Sequence, residues 1–184
     1  MAHAMRFEAA AACALTLLPT AAWAVDYLSA EQAQQAMFPD ADRFEPRELL
    51  LDAAQMKSLA DAGVRARSAR WPVQVALRGM AVLGFVVVDN VVGKFELITY
   101  AVGLGADGAV RQVEVLSYRE SHGHEIRLPA WRRQFVGKTA ASPLQVGDDI
   151  ANLSGATLSC QHVTEGVRRI VTVIDLARRS GRLG

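Results

Sequence analysis

Ala81-Val82-Leu83-Gly84-Phe85-Val86-Val87-Val88-Asp89 is almost unbroken apolar sequence rich in β-branched residues. A run this short and this branched reads as a strand, and continuous apolarity implies cover on both faces. Its neighbours carry the same signal. Val73, Val75 and Leu77 alternate with Gln74, Ala76 and Arg78, and residues 95–102 and 109–118 are two further β-rich runs. Asp89-Asn90, Gly103, Gly105 and Asp107-Gly108 punctuate the series, and Asp107-Gly108 between two such runs is a hairpin signal. These features predict an antiparallel meander with 82–88 central, while Arg111 and Glu114 mark strands with one wet face.

Helical patterns flank the meander. Ser29-Ala30-Glu31-Gln32 matches a capping box, and Ala33, Ala36 and Met37 continue a short helix that Phe38-Pro39 stops. Asp52-Ala53-Ala54-Gln55 opens a second helix that Gly63 closes. Between them, residues 40–51 are charged and interrupted by Pro46, which predicts irregular chain. The last helix begins near Thr157 and ends at about Arg179, before Ser180-Gly181. Val163, Val167, Ile170, Val171 and Ile174 form its core stripe, and Arg168, Arg169, Arg178 and Arg179 are expected in water. The class is therefore α+β: a single domain, an antiparallel sheet flanked by helices, and a long C-terminal helix.

Directly ahead of that helix stands Asp148-Asp149-Ile150-Ala151-Asn152-Leu153-Ser154-Gly155-Ala156-Thr157-Leu158-Ser159-Cys160. A helix start gathers unpaired N–H groups and the positive end of the macrodipole, so it attracts an anion. Thr157 offers a hydroxyl there, and Gly155 and Ala156 permit close backbone approach, so a phosphate could rest on the amides or be esterified to the threonine oxygen. An ordinary N-cap with small spacers is the competing reading. A second suggestive stretch, 119–138, is a polar loop centred on Gly123 that leaves a strand and enters a short helix. Trp131 and Phe135 share a face of that helix, so Trp131 either stacks on a flat ligand or simply packs. His122 and His124 suggest a metal less than a solvated loop, since no further ligand clusters with them. His162 lies off the core stripe, towards solvent or the ligand side.

Both stretches resemble the FMN-binding domain family, which includes the flavin-carrying C subunit of the sodium-pumping NADH:quinone oxidoreductase and the G subunit of the Rnf complex. In the family pattern Asp-x-x-Ser/Thr-Gly-Ala-Ser/Thr, the last hydroxyl residue carries FMN through a phosphoester bond; here that position is Thr157. The family's Asp falls on Ala151, with Asp148 and Asp149 just upstream. The loop is similar to Glu-Thr-Pro-Gly-Leu-Gly followed by an aromatic and Gln-Phe-x-Gly-Lys. Glu120, Ser121 and Gly123 match its Glu, Thr and Gly, and Gln134-Phe135-Val136-Gly137-Lys138 fits its end. His122, His124 and Glu125 replace Pro, Leu and Gly.

The resemblance spans about 79–176. It implies cofactor-binding residues Ser154, Gly155, Ala156, Thr157 and Leu158, with Glu120, Gly123 and Trp131 from the loop. It also implies an electron carrier with FMN covalently attached at Thr157, an FAD- and Mg-dependent flavin transferase as loading enzyme, and a membrane electron-transfer protein as donor. Two rivals are a flavin-dependent reductase acting on a small molecule near 120–125, and a binding module without flavin in which residues 154–157 only cap a helix.

Composition sets the bounds. The 184 residues suffice for one domain with a core, and Lys+Arg of 20 against Asp+Glu of 19 gives a net charge of +1 without a basic block, which argues against nucleic acid. Residues 1–24 read as a secretory signal: Arg6 in a charged start weakened by Glu8, an apolar core over 9–18, and Ala22-Trp23-Ala24 as the cleavage site. The expectation is a periplasmic protein of residues 25–184, the alternative an uncleaved N-terminal anchor facing the same compartment. Cys13 precedes the apolar run's end and is no lipid-attachment site; cleavage would leave Cys160 as the one cysteine.

Overall fold

Among the described residues six strands form one antiparallel sheet: β1 Val25–Asp26, β2 Arg43–Leu50, β3 Arg70–Arg78, β4 Ala81–Val92, β5 Leu97–Gly105 and β6 Val110–Tyr118. Their order is β1-β6-β5-β4-β3-β2, a meander from β2 to β6 with β1 added on the far edge. The computed structural model describes residues 25–120 and 122–183. The signal-like segment 1–24, with Cys13 and the Ala22-Trp23-Ala24 site, and Ser121 of the loop lie outside the described residues. Among the described residues no helix is long and apolar enough to cross a membrane.

Strand β4 is interior, as its apolar run predicts, and its alternate residues enter two cores. Phe85, Val87 and Val91 face the helix α4 (Thr157–Arg179), while Val86 joins Ala33, Met37 and Phe38 from α1 (Ala30–Met37) on the other side. Val163, Val167, Ile170, Val171 and Ile174 of α4 are all fully buried. Each such side chain contributes roughly 1.5–3 kcal/mol relative to staying exposed. The hairpin at Asp107-Gly108 forms, with Gly108 at φ 87° and the Gly105 amide donating to Ala109 O at 2.8 Å.

Three expectations need correction. Residues 43–50, expected to be irregular, form the edge strand β2, paired with β3 from Arg43 opposite Leu77 to Leu50 opposite Arg70. Only Leu49 of this strand is buried, so its backbone pairing holds it, and an edge position accommodates Pro46 because half its peptide groups face away from the sheet. Strand β4 runs through Asp89-Asn90 rather than turning there, since both side chains find cross-strand partners: Thr99 donates to Asn90 at 2.6 Å and Tyr100 to Asp89 at 3.0 Å. Arg169, expected in water, is buried and paired with Asp89 at 3.0 Å. Helix α2 (Ala53–Asp61) follows β2, and the short α3 (Pro129–Arg132) follows β6 with a 3-10 turn on either side, His124–Arg127 and Arg133–Phe135.

Candidate functional site

Helix α4 starts without a side-chain cap. Its N-cap residue is Ala156, and the first intrahelical bond runs from the Cys160 amide to Ala156 O at 2.8 Å. The amides of Thr157, Leu158 and Ser159 have no hydrogen-bond partner among the described residues. Helices α1 and α2, by contrast, carry complete capping boxes, Ser29 with Gln32 and Asp52 with Gln55. Leu153-Ser154-Gly155-Ala156 is a turn closed by the Ala156 amide on Leu153 O at 3.0 Å. Gly155 holds φ 85° there, in the region that L side chains rarely adopt. Ser154 is exposed and does not cap, which removes the competing reading of an ordinary serine cap.

Thr157 is exposed, and its Oγ1 accepts from Asn152 Nδ2 at 3.2 Å, which leaves its own O–H unspent in that bond. A cleft of 460 Å³ opens over this turn, and Thr157, Leu158, Glu120, His122, Lys94 and Phe95 line it. Lys94 and Phe95 were not singled out in the sequence. They sit at the tip of the β4–β5 hairpin, where Phe95 is 75% exposed and Lys94 Nζ lies 4.9 Å from its ring centroid. The available signal is a large apolar residue beside a lysine directly after Gly93, at a strand junction; residues 95–102 read as one strand hid it, because β5 starts only at Leu97.

Glu120 is buried and joins that hairpin to the loop. One carboxylate oxygen accepts from the amides of Phe95 at 2.6 Å and Glu96 at 3.0 Å. Burial pushes the Glu120 carboxyl up, but the amides of Glu96, Phe95 and Lys94, with the Lys94 charge, outweigh it and hold the group below the ordinary carboxylate range. Glu120 therefore faces the cleft while its charge fixes the hairpin.

Gly123, at φ 88°, packs against the start of α4: a Cβ there would lie 2.5 Å from Tyr118 Oη and 3.1 Å from Ala156 Cβ. Tyr118 secures the same junction, its hydroxyl donating to His122 O at 2.5 Å and lying 3.3 Å from Ser159 Oγ. Burial pushes the Tyr118 phenol up, so it stays a neutral donor. The His124 ring centroid is 5.3 Å from that of Tyr118. Among the described residues no three His, Cys, Asp or Glu side chains gather as a metal site needs.

Trp131 does not line the cleft. It is buried edge-on against Phe135, centroids 5.1 Å apart, and its indole N–H donates to Ala151 O at 2.9 Å. Packing, not stacking on a ligand, is its place. Gln134 accepts from the Ala151 amide at 2.8 Å, so both backbone groups of Ala151 are held by this short helical segment. Lys138 pairs with Asp149 at 2.8 Å, and Asp149 also accepts from the Gln145 amide at 2.9 Å. The Asp149 carboxylate is thus committed to holding the approach to Ser154, while Asp148 stays exposed. Burial would raise the Asp149 carboxyl, but Lys138 and the Gln145 and Leu144 amides hold it below the ordinary range.

The geometry defines an α+β domain that presents an exposed hydroxyl and three unpaired amides in a cleft with a lysine and a bare aromatic ring. Residues 93–172 match the family model described as FMN-binding domain, and the loop and helix start that resemble that family lie within those bounds. The fold is similar to that in the crystal structure of Shewanella oneidensis NqrC, at 16% identity and a TM-score of 0.50, covering 73% of this chain and 80% of that one. No curated protein matches the chain. The residues present fit a phosphate-bearing flavin: unpaired amides and Lys94 for the anion, an exposed Thr157 oxygen for an ester, and Phe95 for an apolar ring.

Proposed function

We propose that this protein is an exported electron carrier with FMN attached through its phosphate to Thr157 Oγ1. The observation that carries the reading is the uncapped start of α4, open to a 460 Å³ cleft and inside the segment that matches the FMN-binding domain. Its three unpaired amides and the helix dipole favour a phosphate at Thr157, and Lys94 adds a cation on the facing wall. In the proposed loading step Thr157 Oγ1 bonds to the phosphorus of the FMN half of FAD, the phosphoanhydride bond breaks, and AMP leaves. An FAD- and Mg-dependent transferase supplies the site that takes the hydroxyl proton, so no base is required of this chain. When bound, the flavin supplies one- and two-electron redox chemistry. The chain's part is to hold the group: Gly155 gives open backbone, Gly123 and Tyr118 brace the helix start, and Glu120 keeps the hairpin wall in place. A membrane electron-transfer protein is the proposed donor, with the periplasm as the compartment.

Co-expression with a competent transferase, followed by a denaturing gel viewed for flavin fluorescence, tests the reading. Thr157→Ala should lose the fluorescent band and keep the fold, since the exposed bond from Asn152 is worth about 1 kcal/mol at most. Thr157→Ser should retain attachment. A fluorescent band that survives in Thr157→Ala, or none in the wild type, rejects the covalent-carrier reading.

A further inference from the structure

A second cleft, of 480 Å³, is lined by Arg65, Arg67, Arg168, Arg169, His162 and Glu165. We infer that it binds a small organic anion through a carboxylate or phosphate group. The charge balance is the first reason. Asp89 engages Arg169, but Arg65, Arg67 and Arg168 form no ion pair among the described residues, and neither does Glu165. One carboxylate therefore stands among three uncompensated guanidinium groups.

The second reason is that two of these cations are held in place by neutral groups. Arg67 donates to Asn90 O at 2.8 Å and Arg168 to Ala62 O at 3.3 Å, bonds that orient a guanidinium without neutralising it. Arg67 also holds φ 54°, a left-handed conformation that a non-glycine residue keeps only when its surroundings enforce it. The third is an orphan donor. Arg169 is buried and lines the cleft, and its Nε, closed to solvent as the site stands, has no hydrogen-bond partner among the described residues, so a small shift of the side chain would bring it to an anion. Buried N–H groups demand an acceptor, and guanidinium groups recognise planar carboxylates and phosphates through paired bonds. His162 also lines the cleft, with Nδ1 2.5 Å from Val92 O. It is two helical turns or less from Thr157, about 7–8 Å along the axis.

This inference does not depend on attached flavin. The test is calorimetric titration of the full chain with inorganic phosphate and, separately, with succinate. Saturable binding of either, weakened about tenfold or more in Arg65→Gln and in Arg168→Gln, supports the site. Unchanged circular dichroism in both variants confirms that the fold survives, and Arg111→Gln on the opposite face should leave affinity unaltered. Tighter binding of phosphate assigns a phosphate ester, and tighter binding of succinate a carboxylate. No saturable binding of either anion, or equal affinities in wild type and both cleft variants, overturns the inference.

Discussion

Gly123 and Gly155 share a left-handed backbone, φ 88° and 85°, but only Gly123 lacks room for a side chain. An L residue in that region costs about 1–2 kcal/mol. At Gly155 nothing lies within 4 Å of an added Cβ, so Gly155→Ala should cost that strain alone. At Gly123 the Cβ would also stand 2.5 Å from Tyr118 Oη, which must move and so strain its bonds to His122 O and Ser159 Oγ. Each bond is worth about 0.5–1.5 kcal/mol, so Gly123→Ala should cost about 1–3 kcal/mol more than Gly155→Ala. Urea unfolding of both variants measures the difference, which corresponds to several degrees in Tm for a chain of this size. Gly123→Ala should also lower flavin loading, because the displaced contact includes Ala156, the residue before the acceptor. Equal destabilisation in the two variants, with normal loading in both, would show that the loop does not brace the start of α4.

Two further outcomes follow from the hairpin wall. The folded Glu120 carboxyl lies below its ordinary value, so the stabilisation it gives is complete above the unfolded-chain value of about 4.3 and is lost as pH falls through the lower folded one. Thermal unfolding of wild type and Glu120→Gln should therefore differ at neutral pH and converge in acid; curves that stay parallel at every pH would remove the carboxylate from that role. Phe95→Ala, at a residue 75% exposed, should change stability by no more than about 0.5 kcal/mol yet alter the fluorescence of attached flavin. Identical emission from the two proteins would take Phe95 out of the cofactor wall.

Local chemistry made much of this molecule legible. The capping box at Ser29, the helix start at Asp52, the Asp107-Gly108 hairpin and the stripe of α4 each depend on residues within a few positions of one another, and each forms as read. The order of the two suggestive stretches was legible too, though not their contact, since Gly123 and Ala156 meet only after β6 and α4 have packed. The edge strand β2 stayed hidden because it buries only Leu49 and so shows no alternation. Ser154 looked like a cap because hydroxyl residues before a helix usually are one; the turn at Gly155 instead leaves it exposed.

Arg169 fails for a more instructive reason. A helical wheel scores each side chain by polarity, and an arginine beside a core stripe is assigned to water. In this helix Gly166 leaves bare backbone one turn earlier, and an added Cβ there would collide with the Tyr100 hydroxyl. Tyr100 thus lies against the helix itself, fully buried, where it donates to Asp89, and Asp89 in turn holds Arg169. A glycine inside a helix costs about 1 kcal/mol relative to alanine, so its place in the buried face of α4 needs a packing cause. The cause is a polar group arriving from the sheet, and the arginine three residues on completes its charge balance. Here the glycine and the arginine, one turn apart on the sheet-facing arc of the helix, belong to one arrangement with Tyr100 and Asp89 beneath them; read singly, the glycine is a flaw in the helix and the arginine a surface residue.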